Sequence, residues 1–232
     1  MKDIFYNKVF QKRLFKDLRK EEKEYKYLKD STYLEFKRNL KKLGFKFKVQ
    51  KQILDYCESN PISFKNLILD YYNKSTRIDD KEFYIQCLIN KQNKDLFPFF
   101  LQEAKTYFIS NQTDTWFLRD MINNCFLATK DLKFKEFYLD ILNTNEYGQN
   151  RWGIVELCGS LKIKEAIPYL KQLLNEVNGL HGYILNALTK YENVEDFRDI
   201  FEYYCLSKDS YLRAIAKKGM KKIIKKLEQK QK

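Results

Sequence analysis

Seven glycines and three prolines are all the turn punctuation in this 232-residue chain. A β-sandwich or barrel needs a turn signal roughly every 8–12 residues, so both are excluded, whereas long helices need few such breaks. The chain is 44% hydrophobic and 32% charged, enough apolar content for a packed core and too much for wholesale disorder. Its apolar runs, such as 97–101, are only a few residues long and too short to span a bilayer. The opening MKDIFYNKVF has no stretch resembling a secretory signal. The expectation is an all-α, cytoplasmic protein without a membrane partner.

Helix signals recur along the sequence. Residues 2–29 read as a polar helical arm with sparse apolar positions at Ile4, Leu14, Leu18 and Leu28. Thr32 and Glu35 have capping-box spacing, and that helix should stop at Gly44. A second helix runs over 47–59 until Asn60-Pro61, Ser63 caps a third over 64–74, and Asp79 with Glu82 opens a fourth over 80–91.

Beyond residue 90 the chain repeats itself. DLFPFFL (95–101) and EAIPYLK (165–171) share a pattern around Pro98 and Pro168, which lie 70 residues apart. Proline suits the first turn of a helix, where its missing N–H has no intrahelical partner. FKEFYLDIL (134–142) is an intermediate copy with Glu136 in the proline position, and Val194, Phe197, Ile200 and Phe201 form a fourth. Partner helices over 114–129, 150–161 and 180–191 carry Trp116, Trp152 and Tyr183, and a last helix runs over 210–228. A helix pair recurring every 27–38 residues is the sequence mark of an α-solenoid. Four large side chains buried per helix contribute a gross 6–12 kcal/mol or so. Chain ordering offsets most of that, so each pair needs a neighbour. The domain reading is a basic helical segment over 1–60, acting as cap or arm, and helical repeats over 61–232 ending in a basic helix.

Charge is unevenly placed. Of the net +13, residues 1–52 hold +10 and residues 208–232 hold +8, leaving −5 over 53–207. Lysines that only solvate helix faces explain each end by itself. A nucleic acid drawn to the basic ends is the functional alternative.

Conventional reaction centres are not recognisable. Cys57, Cys87, Cys125, Cys158 and Cys205 form no C-x-x-C pair and sit in helical apolar patterns, where a thiol acts as a small hydrophobe. His181 is the only histidine and lies at a helix start, where capping or packing is expected. Asp79-Asp80 reads as a cap, not a metal pair. Phosphate-cradling glycine motifs and a nucleophile elbow are missing, so neither cofactor nor metal is expected.

NRWGIVELCGSLKIKEAIPYLKQLLN (150–175) resembles a HEAT repeat, and DSYLRAIAKKGMKKI (209–223) resembles the first helix of another, with Asp209, Arg213 and Ala216 at family-like positions. The resemblance to this armadillo-like family implies a right-handed superhelix of stacked antiparallel helix pairs, with second helices lining a concave face. It also implies a non-catalytic scaffold binding a macromolecular partner there, and acids on those helices such as Glu103, Asp140 and Glu202 would suit a protein or peptide of basic character. Arg151 and Arg213 in this setting imply struts to the neighbouring repeat.

Trp116, Asp120, Arg151 and Tyr183 are also similar in spacing to the site of HEAT-like DNA alkylpurine glycosylases, DNA repair enzymes. That second resemblance implies DNA binding, with Asp120 as the catalytic group stabilising positive charge on the sugar. The chain departs from that pattern: Arg119 stands beside Asp120, Tyr183 replaces a tryptophan, and the central repeats carry the wrong charge sign for DNA. The four residues are therefore binding candidates first, and Asp120 is catalytic only in the alternative reading.

Overall fold

Helix follows helix through the whole computed structural model, which describes residues 31–109 and 115–230. Among these there are twelve α-helices and no β-strand. They form two compact units that meet in the sequence between Asn93 and Lys94. The arm expected over 2–29 lies outside the described residues.

The first unit contains α1 (Thr32–Lys42), α2 (Gln50–Ser59), α3 (Lys65–Lys74) and α4 (Ile78–Leu88). Tyr33, Phe36 and Leu40 face inward from α1 at helical spacing, and Phe36 meets the rings of Tyr71, Phe83 and Tyr84 edge-on. The helix stops where its sequence says. Gly44 takes φ +92°, its N–H bonds to Lys41 O, and the N–H of Phe45 reaches back to Leu40 O, both at 3.0 Å. This Schellman closure requires a left-handed residue that glycine adopts without strain.

The starts of these helices differ from the sequence expectation. Ser31, not Thr32, is the N-cap of α1 and accepts from the N–H of Tyr33. Thr32 and Glu35 do not form the expected box. Thr32 instead gives its N–H to Asp80 at 2.7 Å, and Glu35 accepts from the hydroxyl of Tyr71 at 3.1 Å. Helix α3 begins after Phe64 without a side-chain cap, so Ser63 does not serve it. Asp79 pairs with Arg77 at 2.9 Å, while Asp80, fully buried, also accepts from the hydroxyls of Ser31 and Thr32. Asp80 thus satisfies the first turn of a helix 48 residues earlier in the chain. Local spacing proposes a cap, but a buried carboxylate goes where unpaired donors are.

The second unit alternates two kinds of helix. First helices are α6 (Trp116–Thr129), α8 (Trp152–Leu161), α10 (His181–Leu188) and α12 (Ser210–Lys230); second helices are α5 (Phe97–Tyr107), α7 (Lys135–Asn143), α9 (Ile167–Glu176) and α11 (Arg198–Cys205). A short 3₁₀ turn leads into every second helix: Lys94–Leu96, Leu132–Phe134, Lys164–Ala166 and Val194–Phe197. Pro98 and Pro168 occupy the first turns of α5 and α9, as their position in the repeat predicts.

Consecutive first helices pack on one another, α6 on α8, α8 on α10 and α10 on α12, while α7 packs on α9. Polar bridges recur across these contacts at a separation of 30 residues. Gly153 donates its N–H to Asn123 Oδ1 at 2.9 Å, Asn186 donates to Glu156 at 3.0 Å, and Lys190 reaches Ser160 at 3.1 Å. The ion pairs Lys135–Glu165 and Lys162–Glu192 keep the same separation. Helices α8 and α10 approach so closely that a Cβ on Gly159 would lie 2.6 Å from the Cα of Ala187. Cys57, Cys87, Cys125 and Cys158 are buried free thiols, consistent with their role as small core residues.

Candidate functional site

Two of the first helices of the second unit open with tryptophan. Trp116 is the first residue of α6 and is 55% exposed, and Trp152 is the first residue of α8. Asp120, one turn after Trp116, is half-buried and accepts a 3.0 Å hydrogen bond from the indole N–H of Trp152. On its other side Trp152 stacks on Tyr183 of α10, with ring centroids 5.1 Å apart and planes 27° from parallel. Asp120, Trp152 and Tyr183 therefore form a continuous row across three successive first helices.

Burial is the main influence on Asp120 and raises its pKa above that of an ordinary aspartate. The N–H of Trp152 and the charge of Arg119 oppose it by favouring the ionised carboxylate.

Arg151 precedes Trp152 but points elsewhere. It is fully buried, with Nε donating to Gly148 O at 3.0 Å and Nη1 to Leu142 O at 2.5 Å and Thr144 O at 2.7 Å, plus a longer bond to Ile141 O. These carbonyls include those left unpaired at the end of α7, where a cation also complements the helix dipole. Arg213 has the same relation to the end of α11, donating to Ser207 O at 2.6 Å. The structure thus joins Asp120 and Tyr183 through Trp152 and turns Arg151 inward.

Trp152 is the site residue that sequence reasoning left out. Its signal was present: it follows Asp120 by 32 residues and precedes Tyr183 by 31, the interval of the repeat. His181 packs as its position implied, with Nε2 2.9 Å from Leu174 O and its ring against Tyr204.

The second helices carry a different row. The third residue of each is a large apolar or aromatic residue that is not fully buried: Phe137 is exposed, and Phe99, Tyr169 and Ile200 are partly buried. Asp140 and Glu202 are exposed on the same helices, Glu202 paired with Arg198 at 2.8 Å, and Glu103 is half-buried. At the α11–α12 turn, Tyr203, Leu206, Lys208 and Leu212 help line an open groove of about 380 Å³.

These surfaces offer rings, one carboxylate in a dry setting, and scattered charge. Among the described residues Asp120 has no second acid or nucleophile hydrogen-bonded to it. No cluster of three or more His, Cys, Asp or Glu suited to a metal ion occurs among the described residues. No helix among them is long and apolar enough to cross a membrane. No family model matches the chain, nor does any curated protein or solved structure.

Proposed function

We propose that this chain is a HEAT-like α-solenoid serving as a non-catalytic scaffold, which holds a protein partner against its second helices. The observation that carries this reading is the 30-residue interval of the bridges between neighbouring helices, from Asn123–Gly153 to Glu156–Asn186 and Lys162–Glu192. Equivalent positions meeting equivalent positions is what a stacked repeat requires. Antiparallel pairs in a right-handed superhelix are the corresponding architecture. The row Phe99, Phe137, Tyr169 and Ile200 then supplies apolar anchors at repeat spacing, the kind of residue that dominates protein interfaces.

The glycosylase alternative asks Arg151 to face a nucleotide, but its guanidinium is engaged by backbone carbonyls. In the scaffold reading Arg151 is a strut and the Asp120–Trp152–Tyr183 row links successive repeats. The test is quantitative affinity capture from the source cells, comparing wild type with F137E/Y169E. Partners retained by wild type and lost by the variant are expected; an unchanged set overturns the reading. A second arm incubates wild type and Asp120→Asn with alkylated duplex DNA. The expected result is no base release by either protein. Release by wild type alone would establish the alternative.

A further inference from the structure

The last helix, α12, buries Ala216, Gly219 and Ile223 and packs against α10 and α11. That contact fixes its rotation and therefore decides which of its lysines reach solvent. At 100° per residue, Lys217, Lys218, Lys221 and Lys225 project from the side opposite the core. All four are exposed and none has an ion pair among the described residues. Other lysines of the same helix are committed. Lys226 and Lys230 both bind Glu195, at 2.7 and 2.8 Å, and Lys222 donates to Thr189 O at 2.8 Å. Among the described residues, folding thus separates the lysines of α12 into an internally bonded flank and an outer set of four without an ion pair.

We propose that this outer face of α12 binds the phosphodiester backbone of double-stranded nucleic acid. It is a second surface, independent of the protein-binding row proposed above. Lys217, Lys221 and Lys225 recur once per helical turn, about 6 Å apart along a rigid axis. Like charges at that spacing repel and weaken the helix until an anion lies across them. A duplex offers a dense line of phosphates, and binding releases its condensed counterions. No aromatic ring occurs between 217 and 225, so the face lacks a stacking platform for unpaired bases. Ala216, Gly219 and Ile223 are buried where the helix packs on α10 and α11, and only Ile224 and Leu227 remain as exposed aliphatic side chains towards its end, a narrower strip than the broad greasy face that a membrane-surface helix inserts into lipid.

The test is fluorescence anisotropy of a labelled, mixed-sequence duplex with the full chain, between about 50 and 200 mM salt. Wild type should bind with log K falling against log salt by about 0.9 per phosphate neutralised. The K217E/K218E/K221E/K225E variant should bind at least about tenfold more weakly and with a slope flatter by about 3. Charge reversal at Lys105 and Lys164, exposed lysines elsewhere in this unit, should change neither quantity. Circular dichroism and thermal melting check the fold of each variant. If the quadruple variant fails to fold, the single reversals K217E and K221E should each flatten the slope by about 1. The proposal is overturned by no binding at low salt, or by an unchanged slope in the folded variants. Tighter binding of a single strand than of the duplex overturns it too, as does capture by phosphatidylserine vesicles without duplex binding.

Discussion

The indole N–H of Trp152 donates to Oδ1 of Asp120 across 3.0 Å, joining residues 32 apart in the chain and one first helix apart in space. The bond favours the ionised carboxylate, whereas burial, the larger influence, favours the neutral acid. Trp152→Phe removes the donor while retaining most of the ring, so the pKa of Asp120 should rise further, as a carboxyl-carbon NMR titration would measure. The sign for stability follows from the raised folded value. Asp120 contributes stability that is fully present below its unfolded pKa and is lost as pH rises through the folded one. Asp120→Asn should remove that decline, and urea midpoints measured from acid to neutral pH would report it.

Arg151 should behave as a structural strut. Arg151→Met leaves the buried carbonyl of Leu142 and the partly buried one of Thr144 without this donor and should destabilise the protein by about 2–4 kcal/mol. Arg151→Lys should recover only part of this, because a single ammonium cannot reproduce the spread of a guanidinium. Chemical denaturation of the three proteins measures the ranking.

Gly159→Ala tests the close approach of α8 and α10. On an isolated helix the change would stabilise by about 1 kcal/mol. Here the new Cβ would lie 2.6 Å from the backbone of Ala187, which cannot turn aside like a flexible side chain. A net loss of about 1–3 kcal/mol is expected from the overpacking. A measured gain would mean that the helices separate readily.

Asp80→Ala should release the start of α1. It removes the acceptor of the Thr32 N–H and of the Ser31 and Thr32 hydroxyls in a buried setting, at a loss of about 2–4 kcal/mol. Amide hydrogen exchange should show Thr32 losing protection before the middle of α1. Equal protection in variant and wild type would contradict the role assigned to Asp80.

Glu195 gives the opposite pH sign to Asp120. Hydrogen bonds from Lys226 and then Lys230 lower its pKa to about 2 from an ordinary 4.5. Its contribution is present above 4.5 and is lost as pH falls towards 2. Wild type should therefore lose its stability advantage over Glu195→Gln across that window, read by urea midpoints at successive pH values.

Local chemistry by itself determined the helical class, the stop at Gly44, the proline starts of α5 and α9, and the interval at which second helices recur. Each depends on one residue's backbone preference or on apolar periodicity within a single helix, so neighbours in sequence suffice to define it. Tertiary packing decided the rest. It assigned Asp80 to the first turn of α1 in place of a Thr32–Glu35 box, buried Arg151 against α7, and set Trp152 between Asp120 and Tyr183. Side-chain donors and acceptors pair with whatever unsatisfied group folding brings within about 3 Å, and one-dimensional spacing does not encode that distance. The lysines of α12 show the same division: their number is a property of the sequence, but Glu195 and the burial of Gly219 determine which ones face solvent without an ion pair among the described residues.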